Sequence, residues 1–257
     1  MEIIEVIILG LVQGLTEFIP VSSSGHLVIF NNLFGNEGSS LAFDVALHMG
    51  TLVSLLYYFR TDIVGLARNL FANNEQGRLA RLLILATIPA AVAGLILTTA
   101  DDETRTATVA AIMLILGALL MLYAERKPAT KEVEITTKRG LQIGFVQVLA
   151  LIPGMSRSGI TITAGMLSGL TREQAARFSF LMAIPIVAGS ALGIVLSDST
   201  EVTNSTSEII VGMIVAAASG LFAIRFLLGF VAKSSLKAFA YYRIILAVVV
   251  LLSTSLL

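Results

Sequence analysis

Residues 13–26 read Gln13-Gly14-Leu15-Thr16-Glu17-Phe18-Ile19-Pro20-Val21-Ser22-Ser23-Ser24-Gly25-His26. An apolar stretch, 2–18, runs into Ile19-Pro20-Val21-Ser22-Ser23-Ser24-Gly25 and resumes over 26–34. The same plan returns in the second half of the chain. There 140–151 is broken by Ile152-Pro153-Gly154-Met155-Ser156-Arg157-Ser158-Gly159, and the apolar run resumes over 160–168. Each fragment is short for a spanning helix, which needs about 20 apolar residues. Each break is rich in Pro, Gly and hydroxyls, and non-helical backbone at membrane depth survives only when buried in protein or lining a wet cavity. The two regions are therefore expected to be re-entrant helix–loop–helix pairs.

The breaks match each other at a constant offset. Val12-Gln13 pairs with Val146-Gln147, Leu15 with Leu149, Ser22 with Ser156, Ser24 with Ser158 and Gly25 with Gly159. The Gln, the Ser and the Gly carry this signal, because apolar identities arise easily by chance. Six further stretches are long enough to span: 41–60, 79–99, 106–124, 174–197, 208–231 and 238–257. Three full spans follow each pair, and an odd number turns the second copy over. The expected fold is an all-α polytopic membrane protein in one domain, 1–257. It is built of two inverted repeats, about 1–125 and 138–257, whose broken helices meet near the midplane.

Composition agrees. The 257 residues are 56% hydrophobic and 13% charged, about half the charged fraction of a soluble domain, and mean hydropathy is +0.90. Formal net charge is zero, which gives no case for nucleic acid. With no Cys, disulfides, thiolate catalysis and Cys-ligated metals are excluded. The two His, His26 and His48, are too few for a His-rich metal cage. With Glu2 and Glu5 and without a basic region and small-residue cleavage site at its start, the first segment is expected to be part of the mature protein. With the N-terminus outside, Arg60, Arg68, Arg78, Arg81, Arg126, Lys127, Lys131, Lys138, Arg139, Arg172, Arg177, Lys233 and Lys237 fall on the inner face. The outer loops carry Asp101, Asp102, Glu103, Arg105, Asp198, Glu201 and Glu208. This is the distribution of the positive-inside rule. The polar loops 60–78 and 124–139 are too short to hold a soluble domain.

Gln13 and Glu17 are four residues apart and share a helix face. An ionisable residue in a membrane segment is a functional candidate by default; the plainer alternative is that Glu17 ends a helix at the outer surface. The run Ser22, Ser23, Ser24, Gly25 leads toward a new helix, and hydroxyls beside free N–H groups make a phosphate cradle. A stripe of small residues for helix packing is the competing reading, but three Ser in succession do not fit its four-residue repeat. Arg157 lies in the second break between Ser156 and Ser158. A buried Arg is costly unless paired, and its planar fork grips phosphate oxygens with two hydrogen bonds; a structural pair with Glu17 or a clamp on carbonyls is the alternative. On residue chemistry alone His26 and His48 read as structural or supporting residues, although His26 could act as acid, base or nucleophile. Arg225 and Arg243 are expected near helix ends or snorkelling to the interface.

The stretch 13–26 resembles the first signature of the undecaprenyl-pyrophosphate phosphatase family, the one linked to bacitracin resistance. Pro153-Gly154-Met155-Ser156-Arg157-Ser158-Gly159 resembles its second. The resemblance runs over essentially the whole chain and includes the segment order. It implies a multi-pass plasma-membrane hydrolase that removes the terminal phosphate of a polyprenyl (undecaprenyl-type) pyrophosphate. Its active site would open to the extracytoplasmic side, and the lipid carrier would be recycled for cell-wall peptidoglycan synthesis. It implies a divalent cation, Mg or Ca. By position, Glu17 matches the motif's second acidic residue, assigned to metal binding or acid/base work. Ser23 matches the hydroxyl proposed as nucleophile or phosphate ligand, His26 the catalytic His and Arg157 the phosphate-binding Arg. Ser156 and Thr161 match polar neighbours of that Arg. Gln13, Ser22, Ser24, Gly25 and Ser158 complete the expected substrate-binding set. The family's first motif position is Glu or Gln; with Gln13 there, substrate oxygens are expected to supply much of any metal's coordination.

Ser23, or a water aligned by His26, would attack the terminal phosphorus; the sequence leaves both open. The runner-up reading is an inverted-repeat flippase or transporter for a phosphorylated polyprenyl lipid, which needs charge-matched groups but no attacking group. A purely structural membrane subunit is disfavoured by the cost of the charges inside the breaks. Besides the lipid substrate and the bilayer, a second copy of the chain is a candidate partner.

Overall fold

The computed structural model describes residues 2–27, 41–97, 106–196 and 205–255. Among them the regular structure is helical throughout. In chain order, α1 (Ile3–Phe18), α2 (Leu41–Tyr58), α3 (Arg60–Arg68), α4 (Glu75–Leu97) and α5 (Ala107–Ala124) are followed by α6 (Thr137–Val146), which tightens into a 3-10 turn at Gln147–Leu151. Then come α7 (Arg157–Leu167), α8 (Arg172–Leu196), α9 (Thr206–Val231) and α10 (Lys237–Ser255). Starts are set by hydroxyl caps: Thr106 accepts from the Val109 N–H, Thr136 from that of Arg139, and Ser205 forms a capping box with Glu208.

Among the described residues four helices are long and apolar enough to cross a membrane, within α4, α5, α8 and α9. The count rises to five if α2 and α3, bent by 75° at their junction, form one span. Large apolar side chains lie exposed along these helices, among them Ile84, Ile88, Leu119, Leu192 and Phe222, as a lipid-solvated exterior requires. The chain is thus an all-helical, polytopic membrane protein. The stretch 60–78, expected to be a polar loop, carries the nine-residue helix α3.

Close backbone approach fixes α1 against its neighbour. A Cβ on Gly14 would come within 2.0 Å of the Ser219 Oγ and 2.5 Å of the Ala216 carbonyl oxygen on α9, so only Gly fits there. α9 lies along α2 in turn. A parallel arrangement holds in the other half, where α6 lies on α4 and α4 on α8, while α5 packs on α10 and α7 on α8. At the centre Phe18, Phe59 and Phe180 meet edge to face. They wall the core immediately beside Glu17.

Both helices resume three residues earlier than the sequence reading expected, at Ser23 rather than 26 and at Arg157 rather than 160. The reason is capping. The Ser22 hydroxyl accepts from the Gly25 N–H at 3.4 Å and the Ser156 hydroxyl from the Gly159 N–H at 3.2 Å. Both serines sit in the left-handed region, at φ 74° and 67°. The second limb of the first pair beyond residue 27 lies outside the described residues, as do Asp101, Asp102, Glu103, Arg105, Asp198 and Glu201.

One polar knot ties three helix ends. Glu125, whose side chain is fully buried, accepts from Arg172 Nε at 2.8 Å and Nη2 at 2.6 Å, and from the Leu236 N–H at 2.8 Å. Burial alone would raise its carboxyl. The Arg172 and Leu236 hydrogen bonds outweigh that and hold it below the ordinary carboxylate value of 4.5. A depressed folded-state value gives stability that is complete above the ordinary value and is lost as pH falls through the folded one. Glu125→Ala leaves Arg172 uncompensated, and a loss of about 3 kcal/mol is expected. Melting in detergent checks both points: wild type should lose stability on acidification, and Glu125→Ala should be less stable at neutral pH with that acid-dependent part gone.

Candidate active site

The last turn of α1 presents Gln13 and Glu17 on one face, as their spacing dictates. The Gln13 amide donates to Glu17 Oε2 at 3.2 Å. Glu17 is 8% exposed, so it does not end a helix at the surface. Across the molecule α7 begins with Arg157, whose Nη2 donates to Glu17 Oε1 at 2.8 Å. The Ser23 hydroxyl, on the first turn after the first break, donates to Glu17 Oε2 at 3.0 Å. A carboxylate, a serine hydroxyl and a guanidinium from two distant segments thus converge on one point. The breaks also touch directly, with the Gly154 N–H donating to Ser24 Oγ at 3.4 Å.

The other expected residues take more varied places. Ser22 and Ser156 spend their hydroxyls on the caps described above, and each also lies near the next serine but one: Ser22 Oγ is 3.1 Å from Ser24 Oγ and Ser156 Oγ is 3.4 Å from Ser158 Oγ. Gly25 is buried in the short helix after the first break. Thr161 is fully buried; its hydroxyl lies 2.7 Å from the Arg157 carbonyl oxygen and 2.6 Å from Ser179 Oγ. Among the described residues the hydrogen bonds of His26 lead away from Glu17. Its Nδ1 lies 2.8 Å from the Ser22 carbonyl oxygen and its Nε2 2.6 Å from the Tyr242 hydroxyl.

Four participants were not legible in the motifs. His48, read from the sequence as structural or supporting, brings Nε2 to 3.9 Å of Glu17 Oε2 while Nδ1 is held by the Asp44 carbonyl. Its spacing after Asp44 gave no hint of this approach. Ser179 supports Thr161, and its carbonyl accepts from Arg157 Nη1 at 3.4 Å. Tyr242 reaches the first break from α10. Arg243 corrects an expectation: it neither snorkels nor lies at an interface but is completely buried. Its guanidinium donates to the carbonyls of Met155 at 2.8 Å, Gly154 at 3.1 Å, and Leu114 and Met113 at 3.3 Å. The physical reason is visible in the second break. Backbone carbonyls that leave the helix need donors in a place without water, and Gly117 and Gly159 leave room for the guanidinium.

Among the described residues no three His, Cys, Asp or Glu side chains gather as a metal cage. The Gln13 Oε1, however, is buried without a hydrogen-bond partner among the described residues, on the side chain that contacts Glu17. A carboxylate beside a free amide oxygen is a hard-donor pair of the kind Mg or Ca takes when substrate oxygens complete the shell. The residues present fit such an ion.

Two helix N-termini start at the junction, at Ser23 and Arg157. Their N–H groups and positive dipole ends favour an anion. A non-glycine residue at positive φ opens each start, a conformation costing on the order of 1 kcal/mol that accumulates at functional sites. Chemically the arrangement can bind a phosphate with Arg157 and remove a proton from Ser23 through Glu17.

Comparison with known proteins agrees in both extent and kind. The family model described as bacitracin resistance protein BacA matches residues 6–249. The undecaprenyl-diphosphatase of Thermodesulfovibrio yellowstonii is 44% identical over 255 residues, covering 98% of this chain and 97% of that one. Those of Saccharophagus degradans and Caldicellulosiruptor bescii are 43% identical over 256 residues and 42% over 257, each covering at least 96% of both chains. The chain belongs to the bacitracin resistance protein BacA family.

Proposed function

We propose that this protein hydrolyses undecaprenyl diphosphate to the monophosphate and inorganic phosphate, and so returns the lipid carrier to cell-envelope synthesis. The observation that carries the reading is the convergence of Ser23 and Arg157 on the Glu17 carboxylate, in a chain that matches undecaprenyl-diphosphatases from end to end. A lipid carrier protein needs charge-matched groups; it has no need of a hydroxyl hydrogen-bonded to a buried carboxylate.

In this reading the catalytic residues are Glu17, Ser23, His26 and Arg157. The Arg157 fork and the N–H groups at the two helix starts hold the terminal phosphoryl group, since positioning and charge stabilisation supply most of phosphoryl-transfer catalysis. Ser23 Oγ forms a bond to the terminal phosphorus as its proton passes to Glu17. The bond from phosphorus to the bridging oxygen breaks, and polyprenyl phosphate leaves with the electron pair. Water then attacks the phosphoserine: a P–O bond to water forms, the bond to Ser23 Oγ breaks, Ser23 takes back from Glu17 the proton it gave up, and the water's protons leave with the inorganic phosphate or to solvent. His26 exchanges a proton with solvent or leaving group through Nε2. Glu17 and Gln13 Oε1 would hold a divalent cation, Mg or Ca, which when bound neutralises diphosphate oxygens. Ser22, Ser24, Gly25, Ser156, Ser158 and Thr161 line or brace the phosphate site.

The proposed architecture is two inverted repeats, about 1–125 and 138–257, each a re-entrant pair plus three spans. It is supported by the matched positive φ at Ser22 and Ser156 and by the parallel between α1 on α9 on α2 and α6 on α4 on α8. The site is proposed to open to the extracytoplasmic side, which the one-sided distribution of Lys and Arg supports.

The test is release of inorganic phosphate from undecaprenyl diphosphate by detergent-purified protein. Release is expected to stop in chelator and to return with Mg or Ca. Folded wild type that releases nothing under either metal would sink the proposal. Light scattering on the same preparation tests whether a second copy of the chain is a partner.

A further inference from the structure

We infer that Tyr242 is a positioning residue for the reaction, which sets the tautomer of His26 and the single nitrogen through which that ring can exchange a proton; this rests on the proposed phosphatase reading. The hydrogen-bond roles are dictated by chemistry. The Ser22 carbonyl can only accept, so the His26 Nδ1 beside it at 2.8 Å carries the hydrogen. In a neutral ring the lone pair is then on Nε2. The Tyr242 hydroxyl, 2.6 Å from Nε2, must donate to it. The two rings also lie parallel, with 5.6 Å between centroids and 4° between planes, so the phenol approaches along the plane of the imidazole and not over its face.

The phenol is delivered by a helix that is itself pinned. Tyr242 is followed on α10 by Arg243, and neighbouring helical residues point about 100° apart. One therefore reaches the first break and the other the second. Arg243 is fully buried, and its bonds to the Gly154 and Met155 carbonyls grip the loop that leads into Arg157. Its bonds to Met113 and Leu114 tie the same helix to α5. The Gly154 N–H in turn reaches Ser24. α10 thus fixes the distance between the segment that carries Ser23 and His26 and the segment that carries Arg157, with Tyr242 as its contact to the imidazole. Because Nδ1 is tied to a buried carbonyl and Nε2 to a hydroxyl on a side chain that is 43% exposed, protons enter and leave the ring at Nε2. The same bond occupies the lone pair that an attacking imidazole would use, which leaves nucleophilic attack to Ser23.

The test is Tyr242→Phe, which keeps the ring and removes only the hydroxyl. Two readouts are taken. In protein labelled with 15N-histidine the chain's two imidazoles are separated by a His48→Gln sample. Wild-type His26 is expected to show a protonated Nδ1 and a hydrogen-bonded, unprotonated Nε2; in Tyr242→Phe the Nε2 resonance should move toward that of a free unprotonated imidazole nitrogen. In steady-state kinetics kcat is expected to fall about 10-fold with KM within about two-fold, as for loss of one hydrogen bond of about 1.4 kcal/mol. The double variant His26→Ala/Tyr242→Phe should be no slower than His26→Ala alone. An unmoved Nε2 resonance, wild-type kcat in Tyr242→Phe, or losses that add in the double variant would each overturn the inference. A wild-type protein that releases no phosphate overturns the functional reading instead, and the 15N spectra still decide the tautomer.

Discussion

Arg157→Ala is expected to abolish phosphate release, by about 1,000-fold or more in kcat/KM. An arginine that stabilises charge on a transferring phosphoryl group is worth on the order of 1,000-fold or more. Here it also organises the site at rest: its Nη2 holds Glu17 Oε1 at 2.8 Å while Nη1 reaches the Ser179 carbonyl. Its removal therefore has two consequences that must be separated. One is chemical, the loss of the anion clamp. The other is structural, because Glu17 is left as a buried carboxylate without its counter-charge, a defect worth about 3–5 kcal/mol. Glu17→Gln/Arg157→Ala removes that second penalty. The double variant should melt closer to wild type than Arg157→Ala does, yet remain inactive. Phosphate release and thermal melting in the same detergent check this. Because Glu17 is itself catalytic in this reading, the double variant reports on stability alone; Arg157→Ala that is folded and within about 10-fold of wild-type kcat/KM, the worth of a single hydrogen bond, would mean that Arg157 serves only the fold.

The pieces of this site legible in the sequence are those encoded locally. The four-residue step from Gln13 to Glu17 predicts a shared face, and the structure has the amide on the carboxylate. The apolar context of Glu17 predicts burial, and it is buried beside Phe18. The breaks fall where Pro and Gly put them. The helices restart one turn ahead of the resumed apolar runs because the Ser22 and Ser156 hydroxyls, inside the breaks, each satisfy an N–H three residues ahead and start the next helix. What was not legible depends on non-local docking. His48 approaches Glu17 only because α2 lies beside α1, and nothing in its own neighbourhood announces that. Arg243 shows the limit most clearly. An Arg in an apolar segment reads as a snorkelling side chain when only its own helix is considered. It is interior because another segment, more than 80 residues away, exposes carbonyl oxygens that no helix satisfies.

Ser23→Ala should reduce turnover at least about 1,000-fold with little change in stability or in lipid binding, as removal of an activated nucleophile does. Ser23 is half-buried, and among the described residues its hydroxyl makes one hydrogen bond, to Glu17 Oε2. That oxygen keeps the Gln13 amide as a donor, and the other oxygen keeps Arg157. The carboxylate is therefore not stranded when the hydroxyl is lost, so folding is spared while chemistry is not. This contrasts with Arg157→Ala, in which both suffer. The alternative attacker is a water aligned by His26. If water attacked directly, Ser23 would be one phosphate ligand among several and its loss would cost on the order of 10-fold, the worth of a single hydrogen bond. The two routes also differ in what accumulates. Attack by Ser23 requires a phosphoserine, which brief incubation with substrate labelled in the terminal phosphate, followed by acid quench and peptide mapping, should find at Ser23 in wild type and nowhere in Ser23→Ala. A label mapped to His26, or Ser23→Ala within about 10-fold of wild type, would assign the attack elsewhere and leave Ser23 to bind the phosphate that Arg157 holds.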